Sequence, residues 1–184
     1  MIRCRACAEN PPPWDRALAV VDYAYPWDTL IAEFKFHENA AWAHAFAGLM
    51  HNAPWVGPAL DDADVVLPMP LAPERLRHRG FNQSTLLARQ LRPHKTLHHG
   101  LLRVIHTAPQ SSLPRKDRQS NVQGAFAVDP FQREGIAGKK VVLLDDVMTS
   151  GASLAAATQA LRRAGAAHIT ALVFARTARG DTQP

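Results

Sequence analysis

The chain is predicted to fold as an α/β domain with a mainly parallel central sheet flanked by helices. Short runs of β formers (residues 65–67, 141–144 and 168–174) alternate with longer segments at helical spacing, the pattern of strands joined by helical crossovers. The run V-V-L-L at 141–144 is too short and too β-branched for a helix, and reads as a strand buried on both faces. The two most ligand-like segments, 68–79 and 145–153, both follow strands, and open α/β sheets bind ligands at strand carboxyl ends.

The bulk properties agree with one globular domain. The 184 residues are 47% hydrophobic and 20% charged, enough for a substantial core. No apolar run reaches the roughly 20 residues of a membrane helix, and no signal-peptide core is present, so a cytoplasmic protein is expected. A net charge of +5 suits an anionic ligand or nucleic acid without choosing between them. Three sections are expected: 1–14, a C-x-x-C stub and Pro-rich spacer; 15–60, a small hood-like α+β section; and 61–184, the α/β core.

In chain order, Cys4 and Cys7 are the only cysteines, and Pro11-Pro12-Pro13 follows as an extended spacer. One C-x-x-C is half of a four-ligand zinc knuckle; with no second pair, stable zinc within a single chain is not expected. Residues 17–25 read as a strand. Pro26-Trp27-Asp28 opens a helix with Leu30, Ile31 and Phe34 on one face, and a second helix runs over 40–52. Pro54, Gly57 and Pro58 close this section. The strand at 65–67 is ended by Pro68-Met69-Pro70, after which Arg75, Arg77, His78 and Arg79 make a dense cationic patch. In a helical turn Arg75 and Arg79 share a face, and paired guanidiniums suit a pyrophosphate.

A helix over 84–91 carries Leu86, Leu87 and Leu91 inward. His94, His98 and His99 read as surface residues, without metal-ligand spacing. Residues 101–105 form another strand. The polar, proline-containing stretch 107–121 is long for a structureless connection and reads as a lid, with Arg115, Lys116 and Arg118 able to close over a polyphosphate. Phe126 and Val128 return to the core, Gly138-Lys139-Lys140 turns into the central strand, and a helix over 154–164 ends at Gly165. A strand over 168–174 and a frayed tail from 179 complete the chain.

The chemistry centres on V-V-L-L-D-D-V-M-T-S-G-A-S at 141–153. Asp145 and Asp146 fall where the strand is expected to end, and carboxylates accept hydrogen bonds from sugar hydroxyls. Gly151 and Ala152 let backbone approach an anion, while Thr149, Ser150 and Ser153 add donors at a helix N-terminus, which itself attracts phosphate. The string is neither a dinucleotide nor a P-loop fingerprint. A phosphorylated sugar is the ligand class it suits, and it resembles the 5-phosphoribosyl-1-pyrophosphate (PRPP) motif of type I phosphoribosyltransferases.

Other strings extend that resemblance over nearly the whole chain. E-F-K-F around Lys35, P-x-P-L at 68–71, R-x-x-x-R-G-F-N-Q at 75–83, Gln110, and R-x-x-R-x-x-N-V-x-G-A-F at 115–126 are together similar to the ComF/GntX competence-type phosphoribosyltransferase-like proteins. The resemblance implies a type I phosphoribosyltransferase fold behind an N-terminal zinc ribbon, and a link to DNA uptake and natural transformation. The family's ribbon has two C-x-x-C pairs where this chain has one, a remnant half ribbon. The loop reads M-T-S-G-A-S where the family usually has T-T-G-A-T, which retains the hydroxyls. The acid of the purine-salvage branch is absent at Thr149, which disfavours purine salvage.

By the same resemblance Asp145 and Asp146 hold the ribose hydroxyls, and Thr149 to Ser153 cradle the 5′-phosphate. Met69, Pro70, Leu71, Arg75 and Arg79 face the pyrophosphate, Arg115, Lys116 and Arg118 close over it, and Mg²⁺ accompanies PRPP with few or no direct protein ligands. The expected activity is phosphoribosyl transfer to an unidentified acceptor. The alternative is a non-catalytic accessory of DNA import, binding single-stranded DNA through its positive charge and exposed aromatics such as Trp14, Trp27 and Trp55. The acceptor is not legible, and homo-oligomerisation is left open.

Overall fold

A computed structural model describes residues 5–36, 41–104 and 124–177 of the chain. Cys4, Gln110 and the lid stretch 107–121 with Arg115, Lys116 and Arg118 lie outside these residues, as does the tail from 179.

The elements run α1 (Arg5–Glu9), β1 (Arg16–Asp22), α2 (Trp27–Phe36), α3 (Trp42–Asn52), α4 (Val56–Asp62), β2 (Val65–Pro68), α5 (Pro73–Arg79), α6 (Gln83–Leu91), β3 (Leu101–Arg103), β4 (Phe126–Val128), β5 (Lys140–Met148), α7 (Ala152–Arg163) and β6 (His168–Arg176). The central sheet has four parallel strands in the order β1-β6-β5-β2. β3 and β4 stand apart as an antiparallel pair.

Period-two alternation explains why the central strands are apolar throughout. Val141 and Leu143 of β5, with Ile169, Ala171 and Val173 of β6, pack beneath Leu154, Ala157 and Leu161 of α7. On the opposite face Val142, Leu144, Leu172 and Phe174 meet Ile31, Phe34, Phe46, Met50, Leu60 and Leu87 from α2, α3, α4 and α6. Phe46 stacks on Phe174 at 4.3 Å between ring centroids, so the helices of residues 27–62 share a core with the strands that carry the site.

Several boundaries depart from expectation. β5 does not end before the carboxylates: it runs on to Met148, with Asp145 opposite Val173 and Val147 opposite Ala175. The neighbouring β6 supplies ladder partners that far, and hydrogen bonds and an ion pair from other elements compensate the two acids. β1 stops at Asp22 rather than Tyr25; Tyr23 N–H donates to the Arg176 carbonyl, and β6 ends there. Residues 56–62 form α4, with Gly57 and Pro58 in its first turn, where backbone N–H groups have no intrahelical partner to lose.

The aromatics of the nucleic-acid alternative are largely committed to packing. Trp14 lies against the α7-side core, and Trp27 meets Phe174 edge-on at 5.7 Å. Trp55 remains 42% exposed, and its Nε1 donates to the Ala19 carbonyl at 3.1 Å.

Candidate functional site

β2 ends at Pro68, opposite Leu144 of β5, so the segment after β2 meets the acids that follow Leu144. Met69 N–H donates to the Leu144 carbonyl at 2.8 Å, which carries the β2–β5 ladder one step further and fixes the start of the Met69–Pro70–Leu71 turn. Asn82 fastens the same residue from the other side: its Nδ2 donates to the Met69 carbonyl at 2.9 Å. The Asn82 side-chain oxygen meanwhile accepts from the N–H groups of Ser84 and Thr85, capping α6. Gly80, at φ 73°, ends α5 in the left-handed conformation that lets the chain turn directly into that cap.

This junction delivers side chains to the acids. Ser84 Oγ donates to Asp145 Oδ1 at 2.9 Å, and the Asp146 N–H donates to the same oxygen at 2.9 Å. Lys35, in the last turn of α2, places Nζ 3.1 Å from Asp146 Oδ2. Gln83 bridges the two sides: its Nε2 donates to the Phe34 carbonyl at 3.4 Å, and its Oε1 accepts from Arg79 Nη1 at 3.3 Å.

Together these residues enclose a cavity of about 130 Å³, lined by Asp145, Asp146, Lys35, Ser84, Gln83 and Ser153, by the Met69–Pro70–Leu71 turn, and by Arg75, Arg79 and Arg103. α5 is helical, so Arg75 and Arg79 do share a face. Arg103 arrives from β3, its guanidinium 5.5 Å from the centroid of the Phe126 ring.

The electrostatics are those of opposed charges held out of water. Burial, and then repulsion from Asp146, push the Asp145 carboxyl up to about 7, although Ser84, Lys35 and the Asp146 N–H pull against the shift. Burial depresses Arg79; the two acids oppose that shift, and repulsion from Arg75 adds to it. Burial and Arg75 lower Arg103 as well. A cavity whose guanidiniums repel one another while two carboxylates crowd its floor suits a ligand carrying both a polyanion and hydroxyls.

The loop of 149–153 divides between two cavities. Ser153 faces the carboxylates, whereas Thr149, Ser150, Gly151 and Ala152 line a second cavity of about 320 Å³ with Trp14, Pro11–13, Cys7 and Arg176. Gly151, at φ 78°, is the N-cap of α7 and has no side chain to cap it; Ser150 Oγ accepts from the Ala152 N–H at 3.3 Å. The loop thus carries the N-terminus of α7, where backbone N–H groups attract an anion.

Lys35, Gln83, Ser84 and Arg103 complete the site beyond the residues assigned from sequence. Lys35 lies within E-F-K-F and Gln83 within R-G-F-N-Q, and Ser84 follows directly on the latter. Arg103 left no signal except a cation in an otherwise apolar run.

Neither metal draws a full ligand set from the described residues, where no three His, Cys, Asp or Glu side chains converge. Cys7 is a free thiol, and Cys4 of the same C-x-x-C lies outside the described residues.

A model of the phosphoribosyl transferase domain matches residues 79–183. The chain belongs to this family. Curated relatives place it in the ComF/GntX competence-type branch. "DNA utilization protein YhgH" of Escherichia coli (strain K12) is 35% identical over 95% of this chain and 78% of its own length. "Competence protein F" of Haemophilus influenzae is 33% identical over 94% of this chain and 78% of its own. "Competence protein ComFC" of Bacillus subtilis is 31% identical over 80% and 58%. Among solved structures, an allosteric regulatory enzyme of purine biosynthesis aligns with 73% of the chain at TM-score 0.46 and 18% identity, and the chain spans 25% of that enzyme. Within this phosphoribosyltransferase-family chain, Lys35, the Met69–Leu71 turn and Arg75 lie outside the residues matched by the domain model, and tertiary packing alone joins them to the acids.

Proposed function

We propose that the chain binds PRPP and transfers its 5-phosphoribosyl group to an acceptor, with release of pyrophosphate. The observation that carries this reading is the meeting of Asp145 and Asp146 with Arg75, Arg79 and Arg103 in one cavity beside the N-terminal end of α7. The acids accept hydrogen bonds from the ribose hydroxyls. The Met69–Leu71 turn and the guanidiniums receive the pyrophosphate, and the loop from Thr149 to Ser153 receives the 5′-phosphate.

In the reaction the bond from ribose C1 to the pyrophosphate oxygen breaks, and a bond from C1 to the acceptor forms as the acceptor gives up a proton. Positive charge gathers at C1 in the transition state and negative charge on the leaving group. The chain's contribution is therefore to orient the ribose and stabilise the departing pyrophosphate. Magnesium bound with PRPP supplies further charge neutralisation on the phosphates. Arg115, Lys116 and Arg118 are assigned to closure over the pyrophosphate by family resemblance.

Calorimetric titration of PRPP with Mg²⁺ tests the donor half. Saturable binding by the wild type, lost in Asp145→Asn/Asp146→Asn, is the expected result. Absence of binding by a folded wild type would sink the reading.

A second reading, an accessory role in DNA uptake, is favoured by the printed names of the relatives, "DNA utilization" and "competence". Binding of single-stranded DNA that weakens steeply with salt and survives the double substitution would favour this role.

A further inference from the structure

Lys35 belongs to a helix outside the domain-model match, yet its ammonium reaches the acid pair. Its placement is built rather than incidental. Gln83 holds the Phe34 carbonyl, one residue before Lys35, and Phe81 stacks on Phe34 at 5.9 Å between centroids. The side chains of Lys35 and Asp146 are only 19% and 13% exposed, so water screens this pair far less than a surface ion pair.

We propose that Lys35 is a positioning residue of the donor site: its ammonium holds the Asp146 carboxylate in one orientation beside Asp145, so that the acid pair meets the ribose diol preorganised. The inference rests on the reading that this pair binds the ribose of PRPP. Asp146 has one oxygen on Lys35, and Asp145 has Oδ1 engaged by Ser84 and the Asp146 N–H. Each carboxylate thus has one oxygen held by these partners. Without Lys35, Asp146 is free to turn towards Arg79, whose charge already acts on both acids, or towards Arg75 and Arg103 across the cavity. The guanidiniums needed by the pyrophosphate would then be neutralised further from within.

Lys35 also acts on the titration of the site, because its charge pulls the Asp145 carboxyl downward against burial and Asp146. The other charges facing the acids, Arg79 from α5 with Arg75 and Arg103 beyond it, remain when Lys35 is removed. Loss of Lys35 therefore moves Asp145 further up, and PRPP binding that requires ionised acids sets in at higher pH.

The test is calorimetry of PRPP with Mg²⁺ between about pH 5.5 and 8.5 on wild type, Lys35→Met and Lys35→Arg, with thermal unfolding recorded for each. Lys35→Met is expected to weaken PRPP about tenfold, the scale of one lost charge-assisted hydrogen bond. It should also shift the acid limb of binding upward by about one pH unit. Lys35→Arg, which keeps the charge, should restore most of the affinity and the wild-type limb. Should Lys35→Met not fold, Lys35→Gln, which keeps a donor without the charge, carries the same expectations. An affinity within about twofold of wild type with an unmoved limb, or Lys35→Arg as weak as Lys35→Met, overturns the proposal. Failure of the wild type to bind PRPP overturns the donor-site reading itself, and this inference with it.

Discussion

At the scale of single residues, Asp145 shows what the site demands of the fold. An ordinary aspartate titrates near 3.8, and burial beside Asp146 raises this one to about 7. Between those values the folded chain holds a proton that the unfolded chain has released. This contribution to stability is complete below about pH 4 and is lost as pH rises through 7. Asp145→Asn keeps an acceptor for Ser84 and removes the buried charge. It should therefore raise stability at pH 8 by roughly 2–4 kcal/mol and flatten the pH dependence, read from urea unfolding at pH 5 and 8. PRPP binding should fall in the same variant, the trade expected where a strained group serves a ligand. A second residue-scale expectation concerns Gly151. Its φ of 78° is unfavourable for L side chains, and an added Cβ would stand 3.0 Å from the Trp14 ring. Gly151→Ala should cost about 1–2 kcal/mol in chemical denaturation, and Gly151→Val more.

At the scale of elements, R-G-F-N-Q is chiefly a joint. Gly80 ends α5, Phe81 packs on Phe34, Asn82 caps α6 and ties Met69, and Gln83 reaches α2. Asn82→Ala should destabilise by about 1–2 kcal/mol through the lost cap. On the proposed donor-site reading it should also weaken PRPP binding, since the Met69–Leu71 segment loses its tether; a stable variant of unchanged affinity would contradict this. The string could be read from sequence as a mark of family, and helix caps are local enough to be anticipated from Asn82 itself. Its tie to Met69 was not legible, because thirteen residues separate the two groups and only packing closes that distance. α4 is hidden in the sequence for a different reason. Its Gly and Pro resemble a turn unless their place in a first helical turn is known.

At the scale of the whole molecule, the segment before β1 is stitched to the far end of α7 and to β6. Asp15 accepts from Arg162 and from the Ile169 N–H. Burial alone would raise its carboxyl, but these bonds, with the charges of Arg162 and His168, hold it below the ordinary value. This contribution is present above about pH 4 and is lost as pH falls through the depressed value. Asp15→Ala should cost about 1 kcal/mol at neutral pH. It should also speed hydrogen exchange at Ile169, while leaving the Asp145 cavity intact. Exchange at Ile169 matching the wild type would show that the stitch does not hold the segment.

The alternation of strands and helices, the buried β5 and β6, and the acid-rich loop string were all determined by sequence alone, because each depends on local propensity and on side-chain periods of two or 3.6 residues. That Asp145 and Asp146 lie within β5, that the loop faces two cavities, and that Lys35, Ser84 and Arg103 converge on one of them was decided only by tertiary structure. These are contacts between elements far apart in the chain. They arise from sheet order and from helix packing across both faces of the sheet, which no local pattern of residues encodes.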